Sequence, residues 1–291
     1  MPLLDEPLTT DPLVETPGLS LTQSSLQALA HCPRKFQYLY LDQLGLPNFQ
    51  AKATANLGVD LPQDLGTWFH RLLQQRELGL DITPLLQGNE PLPSWYEAFQ
   101  AAPPPMILGQ RDSEHRRQVI LGPVTLVGIY DLVIWGKSQA QILDWKTYQR
   151  PQTPQYLQHH WQTRLYPYLL AATTDYPPES IVMTYWFALG DDGQHSLSFR
   201  YSQALHRQTQ QRLEQFVQRL EAWLLAYDQG NPLPQVDPLQ GRCPSCEFAY
   251  RCHRQVPADP TDTGFEPEIL LQSVQSYPEI SLSLWDDGTV D

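Results

Sequence analysis

Asp131, Asp144 and Lys146 are the residues of this chain best suited to chemistry. Asp144 and Lys146 lie two apart after the apolar pair Ile142-Leu143. On a strand both side chains therefore leave one face, and Trp145 points the other way. A two-residue turn at Lys137-Ser138 places Asp131 directly across from Asp144. Facing carboxylates repel, so they need a cation between them or a raised pKa. Oxygen donors of this kind suit Mg²⁺ or Mn²⁺, which take a few carboxylates, water and a substrate phosphate. Lys146 beside such a cation could hold or help deprotonate an attacking water and offset charge on a phosphate. An isolated Asp-x-Lys is usually a surface hairpin, but Asp131 sits inside the apolar run 127–135. Charge there is costly unless it is paired or functional.

His70 follows Gly66 by one helical turn and could reach the same cation, although a lone helix-face histidine is the commoner case. Gln162 and Tyr166 are four apart, hence on one helix face. They could hydrogen-bond to the site or to substrate, or simply join helix to sheet. The four cysteines split one against three: Cys32 stands alone, and Cys243, Cys246 and Cys252 form a C-x2-C-x5-C run. Four thiolates complete either a zinc site or an iron–sulfur cluster, and ligand chemistry leaves both open. Either would draw the two ends of the chain together and close a very long loop. Gly136-Lys137-Ser138 mimics the end of a phosphate loop, but the first glycine of that motif would fall on Asp131, which excludes an ATPase.

The elements that must position these residues follow from periodicity. Thr22 caps a predicted helix over 24–30, Cys32-Pro33 interrupts it, and 34–41 resumes it. A loop over 45–62 leads to a helix over 65–78, then to a Pro- and Gly-rich stretch with a short helix near 95–99. Strands are predicted over 116–121, 124–135 and 140–146, separated by turns at Gly122-Pro123 and 136–139. A long helix over 154–174, strands over 181–188 and 195–201, and an amphipathic helix over 202–228 complete an α/β sheet covered by helices.

The net charge of −13 is unevenly spread. Residues 1–18 carry four acids and no base, and the tail from Val256 carries eight acids and no base. The remainder is nearly neutral, with 20 acids against 19 bases. A flexible acidic leader (1–18), a folded domain (19–256) and an acidic tail (257–291) follow, with a short docking or edge segment near 280–285. No run of about 18 apolar residues occurs and no signal peptide is visible. A cytoplasmic protein without membrane contact is expected, and in that compartment cysteines serve as metal ligands more often than as disulfides. Arg34, Lys35, Arg71, Arg116, Arg117, Arg150 and Arg164 could follow a phosphate backbone, with Tyr38, Tyr148 and Trp161 as candidate stacking platforms. The remaining histidines show no ligand spacing.

The series Gly66-x-x-x-His70, Gly128-Ile129-Tyr130-Asp131, Ile142-Leu143-Asp144-Trp145-Lys146-Thr147 and Gln162-x-x-x-Tyr166 resembles the PD-(D/E)XK nuclease superfamily, over roughly residues 20–254. More narrowly it is similar to the RecB-like branch, which includes CRISPR-associated exonucleases and the nuclease modules of helicase–nuclease complexes. Asp144 stands where the superfamily often has Glu. The resemblance implies a restriction-endonuclease-like mixed sheet flanked by helices. It implies that His70, Asp131, Asp144 and the Trp145 carbonyl bind Mg²⁺ or Mn²⁺, that Lys146 is the catalytic lysine, and that Gln162 and Tyr166 position DNA or Lys146. Cys32, Cys243, Cys246 and Cys252 would hold a 4Fe–4S cluster, with Zn²⁺ as the alternative, joining the N- and C-terminal segments. The expected activity is a DNA exonuclease acting on single-stranded ends in repair or recombination, with a helicase partner supplying any strand separation. The competing expectations are a non-cleaving DNA-binding or scaffold subunit and an RNA nuclease. Glu114 could approach the site from a neighbouring strand.

Overall fold

A computed structural model describes residues 18–44, 63–87, 90–149, 154–191 and 194–254. The acidic leader up to residue 17, the acidic tail with its 280–285 segment, and Arg150 lie outside the described residues. A mixed sheet carries helices on both faces, and its centre is β3 (Val124–Trp135). β2 (Gln110–Leu121) runs antiparallel along the whole of one edge of β3. The other edge is shared. β1 (Leu19–Leu21) pairs with its first residues in parallel, and β4 (Ala140–Gln149) pairs antiparallel with its last. β5 (Ile181–Asp191) lies parallel to β4, and β6 (Gln194–Arg200) closes the sheet antiparallel to β5.

The hairpin register is the one the Lys137-Ser138 turn predicts: Leu132 faces Leu143 and Trp135 faces Ala140. The short parallel strand β1 was not expected, because three residues ahead of a helix cap carry no periodicity. β2 begins at Gln110, well before the predicted start, because its first half alternates polar residues that give no apolar signal.

One face packs against α1 (Gln23–His31), α7 (Trp161–Ala172) and α8 (Gln203–Asp228). The short helix α2 (Pro33–Phe36) follows α1, and Thr22 caps α1 through a reciprocal pair with Ser25. The opposite face packs against α3 (Gln63–Glu77) and α5 (Leu92–Ala101), with α4 (Thr83–Leu86) between them. There Phe69, Trp95, Phe99, Trp145 and Trp186 form an aromatic cluster, with Phe69 stacked on Trp186 at 5.7 Å. Each fully buried side chain of this size contributes about 1.5–3 kcal/mol.

The helix predicted over 154–174 is two helices, α6 (Pro154–Gln158) and α7, broken at His159-His160. Thr163 Oγ1 donates to the Leu157 carbonyl at 2.6 Å, which diverts that carbonyl from the helical ladder. His160 then takes extended backbone as the N-cap of α7. The break places Gln162 in the first turn of α7.

Candidate active site

β3 changes face at Asp131. Val124, Leu126 and Tyr130 point into the core beneath α7, but beyond Asp131 it is Val133 that does so, while Leu132 and Ile134 enter the aromatic core. β2 changes with it: Glu114, opposite Asp131, has a left-handed φ of 50°, unusual for a residue with a side chain. The ladder to β4 stops at Leu132, and in its place Asp131 Oδ2 accepts the Trp145 N–H at 2.7 Å. The fork in the sheet thus brings a carboxylate to the boundary between two cores. Asp131 is 3% exposed and Asp144 1%.

Two cations meet these two carboxylates. His70, on α3, lies with Nδ1 3.4 Å from Asp131 Oδ1, and its Nε2 is 2.8 Å from the Trp145 carbonyl oxygen. α3 can come this close because residue 66 is glycine: a Cβ there would lie 3.2 Å from Thr147 Oγ1 on β4. Lys146 Nζ lies 2.5 Å from Asp144 Oδ1, as an ion pair off the hydrogen-bond direction, and donates to Gln162 Oε1 at 2.9 Å. The Gln162 amide donates in turn to Asp144 Oδ2, so Gln162 bridges acid and base. Lys146 also lies 5.6 Å from the centre of the Tyr185 ring.

Burial and pairing oppose each other here. Burial lowers the His70 pKa, but Asp131 outweighs it and raises it to about 9. Burial raises Asp131, yet His70, Lys146 and the Trp145 N–H hold it below the usual carboxylate range. Asp144 is raised, by burial first and by Asp131, with Lys146 pulling the other way. Burial lowers Lys146, but Asp144 prevails and keeps it cationic. Glu114 is pushed up to about 7 by burial of its carboxyl and the charge of Asp131.

The structure brings together His70, Asp131, Asp144, the Trp145 carbonyl, Lys146 and Gln162. Tyr166 is buried a turn further along α7, where its carbonyl accepts from Tyr130 Oη at 2.9 Å and its ring packs on Tyr130 at 5.1 Å. Gly128 makes this seat possible, since a Cβ there would meet Leu169 at 2.9 Å and Tyr166 at 3.1 Å. Tyr185 was missed because only the parallel register of β4 with β5 sets it beside Asp144.

Among the described residues, no three His, Cys, Asp or Glu side chains are gathered closely enough to hold a metal ion as they stand. The donors nonetheless suit a hard cation. They comprise two carboxylates, an imidazole and a carbonyl oxygen, and His70 Nε2 and the Trp145 oxygen are hydrogen-bonded to each other at 2.8 Å.

Among the described residues the cysteines are not gathered closely enough to hold a metal as they stand. All four line one cavity of about 20 Å³ together with His31, Lys35 and Arg242, space for about one water. Burial raises Cys246 to about 11, and burial and Cys32 raise Cys252. The two ends of the chain meet all the same. Arg34 Nε donates to the Leu233 carbonyl at 2.7 Å, Lys35 pairs with Glu247 at 3.0 Å, and Arg242 donates to the Ala30 and His31 carbonyls. Arg34 and Lys35 are therefore committed at the cysteine cavity, far in role from a phosphate track. Arg117 donates to the Thr173 carbonyl and Arg71 lies over Trp68. Tyr38 contacts Phe248 and Tyr148 contacts Phe187, both half-buried, while Trp161 is buried against Phe216. No helix among the described residues is long and apolar enough to cross a membrane.

The family model of the PD-(D/E)XK nuclease superfamily matches residues 20–253. Among solved structures, the chain is similar to SSO0001 (17% identity, 65% of this chain and 73% of that one, TM-score 0.35). It is also similar to a protein from Eubacterium rectale provisionally named as an exonuclease (10% identity, 83% of this chain and 90% of that one, TM-score 0.47). At those values neither likeness bears on function. No curated protein matches the chain.

Proposed function

Because the chain belongs to the PD-(D/E)XK nuclease superfamily, we propose that it is a Mg²⁺- or Mn²⁺-dependent deoxyribonuclease, an exonuclease acting on single-stranded DNA ends in repair or recombination. The observation that carries this reading is the pair of buried carboxylates Asp131 and Asp144, met by the half-buried His70 and Lys146, at the fork of the sheet. His70, Asp131, Asp144 and the Trp145 carbonyl would hold the divalent ion. When bound, the ion polarises the scissile phosphate and lowers the pKa of attacking water.

The other steps belong to side chains. Lys146, kept cationic beside Asp144, acts as a donor: it orients the water and offsets charge on the phosphate as it develops. Gln162 fixes the Lys146 ammonium through its carbonyl and Asp144 through its amide, so neither can rotate away alone. Tyr166 and Tyr130 hold α7 against β3 and thereby keep Gln162 in place. Products carrying a 5′-phosphate and a 3′-hydroxyl are expected. A partner helicase would supply any unwinding.

The four cysteines would hold a 4Fe–4S cluster or Zn²⁺ as a structural staple. Support comes from their lining one cavity between two segments already joined by hydrogen bonds. Iron and zinc analysis with visible absorption of protein purified without oxygen separates the two.

The decisive assay is digestion of end-labelled single-stranded DNA with Mn²⁺ or Mg²⁺, wild type beside Asp144→Ala. Metal-dependent cleavage absent from the variant supports the assignment. Wild-type protein, loaded with its cysteine-bound metal, that cuts neither DNA nor RNA overturns it.

A further inference from the structure

A groove of about 390 Å³ runs along the outer face of α8, lined by Gln208, Gln211, Arg212, Gln215, Phe216 and Arg219. Gln208, Arg212, Gln215 and Arg219 recur at four- and three-residue spacings, so they share one stripe of the helix. No acid lines the groove. Glu214 lies off the stripe and accepts from Gln210 at 3.0 Å. The Arg212 guanidinium lies 5.5 Å from the Trp161 ring centre and 5.9 Å from that of Phe216. Trp161 precedes Gln162 at the N-terminal end of α7, so the Arg212 end of the groove lies against the same helical turn that carries Gln162. Arg164, also on α7, lies near enough to Arg212 for the two charges to repel, which with burial lowers its pKa. Its guanidinium contacts His159 Nδ1 at 2.9 Å. Among the described residues no carboxylate lies within 4.0 Å of Arg164, Arg212 or Arg219. Arg164 and Arg212 repel each other, and an anion at the Arg212 end of the groove would offset that repulsion.

The geometry points to the Arg212–Arg219 groove of α8 as the track along which a single-stranded DNA substrate is fed to Gln162 and Lys146, a reading that rests on the nuclease assignment. The guanidiniums bind phosphates, and the glutamine amides hydrogen-bond to bases or backbone without sequence preference. The flat outer face of Arg212, stacked on Trp161, offers a platform for a base. The folded body as a whole is nearly neutral, with 20 acids against 19 bases, so this stripe carries a distinct share of the salt-dependent affinity.

The test is fluorescence anisotropy of the full chain with EDTA present, using a single strand of about 20 nucleotides and one of about 5, against a footprint of ~4–16 nucleotides for common single-strand sites. Arg212→Glu with Arg219→Glu should weaken binding of the long strand about tenfold or more and lower its salt slope by about 1.4, the loss of two phosphate contacts at about 0.7 each. The short strand should be little affected. Arg219→Glu with Gln208→Glu leaves the Arg212–Trp161 stack intact and should show the same direction, which guards against a folding failure. Unchanged affinity and slope for the long strand in that folded variant would overturn the inference, as would a loss confined to duplex DNA. If wild type cleaves and the variants bind normally, only the groove assignment falls. If wild type cleaves nothing while long-strand binding depends on these arginines, the nuclease reading falls and the groove stands.

Discussion

Replacing Lys146 by methionine keeps an unbranched apolar stem but removes the ammonium that lies 2.5 Å from Asp144 Oδ1. Asp144 is 1% exposed and would retain only the Gln162 amide as a partner. Breaking a buried pair by removing one member costs about 3–5 kcal/mol. Proton uptake by Asp144 sets a ceiling: neutralising a carboxylate of ordinary pKa 3.8 costs about 1.4 kcal/mol per pH unit above that value, or about 6 kcal/mol at pH 8. The sign follows from a folded pKa raised above the unfolded one, so stability is lost as pH rises through it and regained as pH falls. At about 2–4 °C per kcal/mol for a domain of this size, Lys146→Met should melt about 6–20 °C below wild type at pH 8 in EDTA. The deficit should shrink toward pH 6. Mn²⁺ at about a hundred times its Kd adds about 2.7 kcal/mol to any protein that binds it only when folded. In wild type the Lys146 ammonium beside Asp144 repels the incoming cation, so Mn²⁺ should raise the variant's melting temperature by more. Thermal melts at pH 6 and 8, with and without Mn²⁺, read all of this. A variant within about 2 °C of wild type in EDTA, or one that Mn²⁺ stabilises no more than wild type, would refute the account of Lys146 as the resident counter-cation.

Gly128→Ala places a methyl 2.9 Å from Leu169 and 3.1 Å from Tyr166. It should cost about 1–3 kcal/mol of overpacking, read as a lower urea midpoint at unchanged slope. Activity should fall further than the fraction unfolded, because α7 also carries Gln162. Burial, helped by Lys146, lowers His160 to about 4. A base depressed on folding loses stability as pH falls, here between 6.5 and about 4, and His160→Gln should flatten that limb of the wild-type urea profile. An unchanged limb would assign the acid sensitivity to other groups. Cys32→Ser should abolish stoichiometric iron or zinc, measured by metal analysis. Retention of full metal content would show that the other three cysteines suffice.

The hairpin and its carboxylates were legible because a two-residue turn fixes register by arithmetic, and Leu132 does face Leu143. Gly66 and His70 were legible as one helical turn. What the sequence concealed is the change of face at Asp131, since alternation cannot be read inside a run that is apolar on both sides. It also concealed the break between α6 and α7, because a Thr163 side chain bonding to the Leu157 carbonyl leaves no periodic mark. Two members of the predicted basic set are used elsewhere, for a related reason. Arg34 and Lys35 lie close to Cys32 in sequence, and the fold uses them to bind the far end of the chain. Arg212 lies far from every motif in sequence, and only the packing of α8 on Trp161 brings it to α7.

The arrangement at the fork also bears on whether this chain cuts its substrate or only binds it. A scaffold has no use for four charges at the meeting point of two cores. Replacing a buried ion pair by apolar residues of similar volume is often neutral or stabilising by about 1–4 kcal/mol. Asp131 and Asp144 carry that cost here, and β3 gives up its regular ladder and β2 takes a left-handed residue at Glu114 to seat them. Gln162 then ties acid to lysine through both ends of one amide, an arrangement that fixes geometry beyond what stability needs. Such a distortion is retained where the seated groups act on something. The location of the cost, at Asp131, Asp144 and Lys146 and not in the aromatic core behind them, is what favours catalysis over binding.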